Sequence, residues 1–188
     1  MIRIFVILLS LSFSAFSQND SSYIFVLGNT QDAGAPHIGC EQEFCKKNYN
    51  SNQDYFVTSI AVVDPKSRQF TLFEASPDIT SQLNYISNLL FKRFILPNNI
   101  YITHAHIGHY TGLMYLGRES LGASGLNVRA LPKMTNFLKN NGPWNQLVKL
   151  NNIDLEEIEF DKISSIFNNI EINRLKRIIF NKFILVSA

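Results

Sequence analysis

The sequence predicts a mixed α/β (α+β) fold. Short apolar runs, typical of buried strands, alternate along the chain with segments whose apolar residues recur at helical spacing. Proline, glycine and asparagine interrupt the chain between these segments, as they do in the turns of a compact domain. With 188 residues, 46% of them hydrophobic, the chain is long enough for one domain with a substantial core.

The predicted elements begin with a buried strand at residues 23–27. A long polar loop at residues 29–52 follows this strand, and long ordered loops are often functional. Two β-rich runs, at residues 56–63 and 69–73, come next. The proline-containing residues 64–67 between them suit a tight turn, so the two runs form a predicted hairpin.

A helix is predicted to start at Ser76-Pro77-Asp78, with Ser76 as the N-cap and Pro77 as the first helical residue. Its apolar face consists of residues at helical spacing, which are Ile79, Leu83, Ile86 and Leu90. The elements predicted after it are a buried strand at 100–103, a helix at 110–116, a strand at 127–131 and a helix at 132–140.

The N-terminus has the three parts of a secretory signal peptide, which are Arg3, an apolar run at residues 4–11 and a small-x-small end at residues 15–17. The apolar run is too short to span a bilayer, which takes about 20 residues. We therefore expect residues 1–17 to be cleaved and the protein to be exported to the periplasm or medium of a bacterial cell. No cysteine lies at the cleavage point, so we expect no membrane anchor afterwards. A buried N-terminal strand or helix is the alternative.

Cys40 and Cys45 are the two cysteines of the chain. In an exported protein such a pair can close a small disulfide loop. The pair can also remain as free thiols, or supply half of a structural zinc site whose other ligands come from elsewhere. The spacing alone leaves these alternatives open, with a disulfide or free thiols preferred to zinc.

The charge balance bears on the partners of the protein. The chain has 17 basic and 15 acidic residues, a net charge of +2. Proteins that bind nucleic acid normally carry a clustered basic face, so we expect no nucleic-acid partner. The sequence gives no indication of the oligomeric state.

Three of the four histidines fall within six positions, at His104, His106 and His109. They directly follow the predicted strand at 100–103 and open a helix. Residues two apart in an extended chain project to the same side, so His104 and His106 can converge on one cation, and His109 can approach the same pocket from the turn. Neutral imidazole is the usual nitrogen ligand of zinc or iron. The segment therefore predicts a metal site rather than an incidental polar loop.

The pattern His-x-His-x-x-His after an apolar strand resembles the His-x-His-x-Asp-His signature of the metallo-β-lactamase-fold hydrolases. Further segments are similar to the pyrroloquinoline-quinone biosynthesis protein B (PqqB) family, and these are Val26-Leu27-Gly28, Asp32-Ala33-Gly34-Ala35-Pro36, Gly39-Cys40, Glu74-Ala75-Ser76-Pro77-Asp78, His109-Tyr110-Thr111-Gly112-Leu113 and Asn141-Gly142-Pro143-Trp144. The resemblance runs from about Tyr23 to Ile172. It implies an αββα sandwich with a metal site at the sheet edges. Residues 18–172 would form the N-terminal part of this sandwich.

Two departures from the family pattern concern the metal ligands. Gly108 stands where the pattern has an aspartate that binds a second metal, so the resemblance implies one zinc ion rather than two, with iron as the alternative metal. The family also takes ligands from the second half of the fold, whereas this chain has no histidine after His109. A catalytic zinc site needs three protein ligands. The third ligand is therefore left open among His109, His37, Asp32 and Asp78.

The charge reverses near the C-terminus. Residues 151–172 carry six acidic side chains and one lysine, and residues 173–188 carry four basic side chains and no acidic one. The implied sandwich also needs a second set of strands. We therefore expect residues 173–188 to be an atypical tail of a truncated or frameshifted copy, with a naturally short variant as the alternative.

The leading hypothesis is an exported, metal-dependent hydrolase of a small-molecule substrate, in which zinc held by His104 and His106 activates water. His109 is expected to act as the third metal ligand or as a proton shuttle, and Asp32 is the other candidate catalytic residue. Two histidines with a carboxylate also suit non-haem iron and an oxidation. The alternative is a truncated, catalytically silent fragment that binds metal or a partner protein.

Overall fold

The structure is a computed structural model that describes residues 21–49, 51, 55–159, 164–167, 170–173 and 185–187. The predicted signal peptide at residues 1–17 and most of the predicted tail at residues 173–188 lie outside these residues. Within the described part of the chain, no helix has both the length and the apolar character needed to cross a bilayer.

A six-stranded sheet in the order β1-β2-β3-β4-β5-β6 forms the centre of the fold. The first three strands pair antiparallel, and β3 to β6 pair parallel. The parallel strands need crossover connections, which here contain helices. The strands are β1 (Tyr23–Gly28), β2 (Ser59–Asp64), β3 (Gln69–Phe73), β4 (Asn99–Ile102), β5 (Leu126–Ala130) and β6 (Ile153–Glu157).

In the described part of the chain, five α-helices lie between these strands. They are α1 (Glu43–Asn48), α2 (Ile79–Ile86), α3 (Ile107–Tyr110), α4 (Pro132–Asn140) and α5 (Trp144–Lys149). A π-helical turn, Ser87–Phe91, continues α2, and a 3-10 turn, Thr111–Leu116, continues α3. Apolar side chains of α2, α4, α5 and the 3-10 turn pack on one face of the sheet and form the main core.

The other face of the sheet is covered by a second sheet. Successive strand residues point to opposite faces, so Ile100 and Ile102 of β4 enter the main core while Tyr101 faces the other way. There Tyr101 belongs to a smaller cluster with Ile166 and Ile170. These two residues lie in an antiparallel sheet of β7 (Ser164–Phe167), β8 (Ile170–Asn173) and β9 (Leu185–Ser187). The order helix, sheet, sheet agrees with three of the four layers of the αββα sandwich.

Most of the predicted elements are confirmed, and the start of α2 is corrected. The hairpin is present as β2 and β3, and the predicted helix at 132–140 coincides with α4. The helix predicted to start at Ser76 begins instead at Ile79. The Ser76 hydroxyl accepts a hydrogen bond from the Asp78 amide (3.1 Å) and donates one to Gln82 (2.7 Å), so it organises the turn before the helix rather than capping it. Within the predicted loop at 29–52 the structure also contains the short helix α1.

Cys40 and Cys45 form a disulfide, and their Cα atoms are 5.9 Å apart. Both residues are buried, and Cys45 lies in α1. The bond ties this helix to the end of the loop that precedes it. The pairing is one of the two alternatives preferred from the sequence, and it leaves no cysteine for a structural zinc site.

Replacing both Cys40 and Cys45 by serine is expected to lower the free energy of unfolding by about 2 kcal/mol, because a loop this short restricts the unfolded chain only modestly. Urea denaturation of the oxidised protein and of the double variant measures the difference. Reduction of the wild-type protein should cause the same loss and should leave the variant unchanged. Equal stability of the oxidised, reduced and variant proteins would contradict this account.

Candidate metal centre

The three clustered histidines lie at the carboxyl end of β4. His104 and His106 follow the strand in the loop that leads to α3, and His109 lies in α3. Since β1, β2 and β3 pair antiparallel in turn and β3 pairs parallel with β4, the strands β1, β3 and β4 all end at the same edge of the sheet. Glu74, directly after β3, and Asp32, in the loop after β1, therefore lie at this edge too. Ligands of open α/β sheets bind at this kind of edge.

The structure brings the three imidazoles together, as the spacing predicts. Ring centroids are 4.1 Å apart for His104 and His109, 4.5 Å for His104 and His106, and 6.3 Å for His106 and His109. One ligand atom from each residue can be chosen so that all three lie within 4.8 Å of one another. His106 is exposed and the other two are half-buried, so the cluster opens to solvent on the His106 side.

A buried carboxylate, Glu74, lies behind the histidines. Its side chain is 8% exposed, and its backbone has a positive φ of 73°, which a non-glycine residue adopts at a cost. The carboxylate accepts a hydrogen bond from the Thr103 amide (3.2 Å) and another from the Thr103 hydroxyl. Its Oε1 atom also lies 3.3 Å from Nδ1 of His109. One acidic group therefore contacts both the residue before the cluster and its last histidine.

This network determines which nitrogen of His104 faces outward. The Thr103 hydroxyl has a single proton, which it donates to Glu74, and its oxygen lies 2.8 Å from Nδ1 of His104. That oxygen therefore accepts a hydrogen bond from Nδ1–H, and the Nε2 atom carries the lone pair that can bind a cation. Outer partners of this kind fix the orientation and tautomer of metal-binding histidines.

The position of α3 is fixed by close backbone contacts with the segment after β3. The His109 carbonyl accepts a hydrogen bond from the Ala75 amide (2.9 Å), and the Ala75 carbonyl accepts one from the Gly112 amide (2.9 Å). A Cβ atom at position 112 would lie 2.1 Å from the carbonyl oxygen of Ser76. Only glycine permits this approach, which holds His109 beside Glu74.

The other candidate ligands differ in their surroundings. Oδ1 of Asp32 lies 3.2 Å from Nε2 of His109, and the Asp32 side chain is 39% exposed. His37 lies in an exposed part of the loop, where Nδ1 contacts the carbonyl oxygen of Ile38 at 3.0 Å. Asp78 accepts a hydrogen bond from the Val57 amide at 2.8 Å. Of the four candidates for the third ligand, the structure therefore places His109 in the cluster and Asp32 next to it.

Glu74 and Thr103 are site residues that the sequence reasoning missed. In the sequence, Glu74 stands in a segment that resembles the PqqB family, and that resemblance alone implies no role for it. A signal was available, because Glu74 and Thr103 are the polar residues that directly follow two apolar runs. The signal becomes informative only when those runs are known to be adjacent parallel strands, as β3 and β4 are.

The donor set at this edge fits zinc. Three imidazoles with one exposed side match the catalytic pattern of three protein ligands and one open position. The buried Glu74 behind the cluster supplies the outer carboxylate that such sites commonly use to orient a histidine.

Comparisons with known proteins bear on the fold. No protein-family model and no curated protein matches the sequence. Among solved structures, the chain is similar to Zn²⁺-bound PqqB from Methylobacterium extorquens (TM-score 0.66, 19% identity) and to a diphosphatase of the PhnP family (TM-score 0.59, 19% identity). Both similarities cover 81% of this chain and 55% of the other protein.

A third similar structure is the metallo-β-lactamase-fold protein YhfI from Bacillus subtilis, with a TM-score of 0.50 and 10% identity over 88% of this chain and 55% of that protein. The chain thus spans about half the length of each of these proteins. Together with the strand order and the layers described above, these similarities identify the architecture: the chain has a metallo-β-lactamase fold, similar to that of PqqB, over part of that fold's length.

Proposed function

We propose that this chain is a metal-dependent hydrolase of a small-molecule substrate, with one zinc ion held by His104, His106 and His109. The observation that carries the proposal is the convergence of these three imidazoles at the carboxyl end of β4. The Zn²⁺-bound PqqB structure supports the choice of zinc over iron. The PhnP-family diphosphatase supports a phosphate ester or anhydride as the substrate class.

The chain's own residues have separate roles in this proposal. A bound zinc ion lowers the pKa of a coordinated water to about 7 and polarises the substrate oxygen under attack. Glu74 and Thr103 hold His104 with Nε2 turned outward, so this imidazole is oriented before the metal binds. Glu74 also faces Nδ1 of His109, which supports a ligand role for that residue rather than a proton shuttle. The exposed side at His106 is where substrate would enter.

The proposal includes export. The N-terminal segment has the composition of a signal peptide, and disulfides persist in oxidising compartments such as the periplasm. The Cys40–Cys45 disulfide supports the same placement. Fractionation of expressing cells, followed by N-terminal sequencing of the exported form, would test it. An intact N-terminus in the cytoplasmic fraction would contradict export.

Gly108 favours one alternative function. It offers no ligand atom between His106 and His109, which is compatible with a chain that binds metal without turning over a substrate. Metal content alone does not separate the two functions, so the test must include turnover.

Metal removal provides that test. Hydrolysis of a generic phosphodiester, with a p-nitrophenyl ester and a β-lactam in parallel, is expected to fall to background after dialysis against a chelator and to return with added zinc. Hydrolysis that persists in metal-free protein would contradict a metal-dependent mechanism. Stoichiometric zinc without turnover of any of the three substrates would support the silent alternative.

A further inference from the structure

The glycine at position 108 is in close contact with Asp32. A Cβ atom built on Gly108 would lie 2.6 Å from Cβ, 2.7 Å from Cγ and 2.9 Å from Cα of Asp32. No side chain at 108 can therefore coexist with Asp32 in its present position. The space beside His109 that a side chain from α3 would occupy is filled by the carboxyl group of Asp32, from the loop after β1.

The same carboxyl group is at a suitable distance to share a cation with His109. Its Oδ1 atom lies 3.2 Å from Nε2 of His109. Neighbouring donors bound to one zinc ion, each at about 2.0–2.1 Å, lie about 3–3.5 Å apart. The contact therefore has the spacing of two neighbouring ligands. Asp32 is not part of the group of donor atoms within 4.8 Å of one another, which the three histidines form, so metal binding would draw Asp32 towards His104 and His106.

The surroundings of His109 favour a positive charge between its Nε2 atom and Oδ1 of Asp32. A neutral imidazole carries one N–H, and its Nδ1 faces the buried Glu74 carboxylate at 3.3 Å. With the proton on Nδ1, the Nε2 lone pair faces the carboxylate oxygen of Asp32. Two facing lone pairs repel each other, whereas a positive charge between them is attracted by both carboxylates, and either a proton on Nε2 or a bound metal ion provides that charge.

We propose that Asp32 is a ligand of the metal held by the histidine cluster, and that Gly108 admits it by leaving the space beside His109 empty. This inference rests on the proposed metal site and adds a carboxylate to its ligands. Zinc would then have four protein ligands, and water would bind as a fifth. Asp32 lies in the loop between β1 and α1, far in sequence from the histidines. Metal binding would therefore depend on where this loop lies. Asp32 is partly exposed, so it lies on the side of the site that solvent reaches.

The test measures zinc binding to the full-length metal-free chain by calorimetry, beside thermal unfolding of the same metal-free protein. Asp32→Asn keeps the size of the side chain and removes its charge, and is expected to weaken zinc binding at least tenfold. Glu41→Gln is the matched control, because Glu41 is an exposed carboxylate further along the same loop. It should leave zinc affinity within twofold of the wild type.

A second variant pair tests the role of Gly108. Gly108→Asp alone is expected to be destabilised, because its Cβ meets Asp32. Combining it with Asp32→Gly moves the carboxylate to α3 and removes the contacts with Cβ and Cγ of residue 32. The contact with Cα at 2.9 Å remains and requires a small shift of the loop. This double variant should restore zinc affinity to within about tenfold of the wild type. A folded double variant that binds zinc no better than Asp32→Gly alone would contradict this spatial exchange.

The outcomes separate the two proposals. A wild-type chain that binds no zinc would overturn the proposed function itself. A wild-type chain that binds zinc with the same affinity as Asp32→Asn would overturn only the inference on Asp32. In that case, a lower unfolding temperature of metal-free Asp32→Asn would show that Asp32 is simply an ion-pair partner of His109.

Discussion

Replacing His106 by alanine is expected to reduce the zinc affinity of the protein more than 100-fold and to reduce hydrolysis to background. Loss of an outer partner of a metal ligand typically costs 10–100-fold in affinity, and loss of a direct ligand costs more. His106 is exposed, so its removal should leave folding intact and change only the site. His104→Ala is expected to have the same effect on zinc. Calorimetric titration and metal analysis of the purified variants measure the loss.

His37→Ala is the control for these variants. His37 is the one histidine outside the cluster, and it lies in an exposed part of the loop where Nδ1 contacts a neighbouring carbonyl. The control should bind zinc as the wild type does, since it removes an imidazole without touching the site. Equal metal content in the wild type, His104→Ala, His106→Ala and His37→Ala would refute the assignment of the histidine cluster.

The features of the fold that were predictable from the sequence are local ones. The hairpin of β2 and β3 follows from two β-rich runs joined by a short proline-containing turn. The convergence of His104 and His106 follows from the two-residue repeat of an extended chain. In each case the residues that decide the structure are within a few positions of one another, so their pattern can be read directly.

The features that were missed depend on contacts between distant segments. Glu74 reaches His109 only because β3 and β4 are parallel neighbours, which no spacing in the sequence reveals. The contact of Asp32 with Gly108 likewise requires the ends of β1 and β4 to meet at one edge of the sheet. The start of α2 was misplaced for a related reason, since the buried Gln82 side chain accepts the hydroxyl proton of Ser76.

These distant contacts give the site its most specific property, which is that one buried carboxylate reaches two of the three histidines, His104 through Thr103 and His109 at 3.3 Å. Glu74 accepts from Thr103, whose hydroxyl oxygen accepts from His104, and it faces His109 directly. The left-handed backbone conformation at Glu74 is held by a hydrogen bond from its amide to the Tyr101 carbonyl (2.9 Å). A strained residue kept at the edge of the sheet in this way is typical of functional sites.

Glu74→Gln is therefore expected to weaken zinc binding 10–100-fold although the variant has no altered metal ligand. The carboxylate uses two oxygens, one for the Thr103 amide and one for the Thr103 hydroxyl and Nδ1 of His109. An amide side chain has a single acceptor oxygen, so it cannot keep all three contacts. Zinc titration of the metal-free variant measures the loss.

A pair of substitutions at Thr103 separates orientation of the histidine from general damage to the core. Thr103→Ser keeps the hydroxyl that joins Glu74 to His104 and should retain zinc affinity near that of the wild type. Thr103→Val keeps the shape and removes the hydroxyl, so it should reproduce part of the loss seen in Glu74→Gln. If Ser and Val variants bound zinc equally well, the hydroxyl would have no part in orienting His104. Any effect of Glu74 on the site would then pass through His109, whose Nδ1 atom lies 3.3 Å from the Glu74 carboxylate in the described part of the chain.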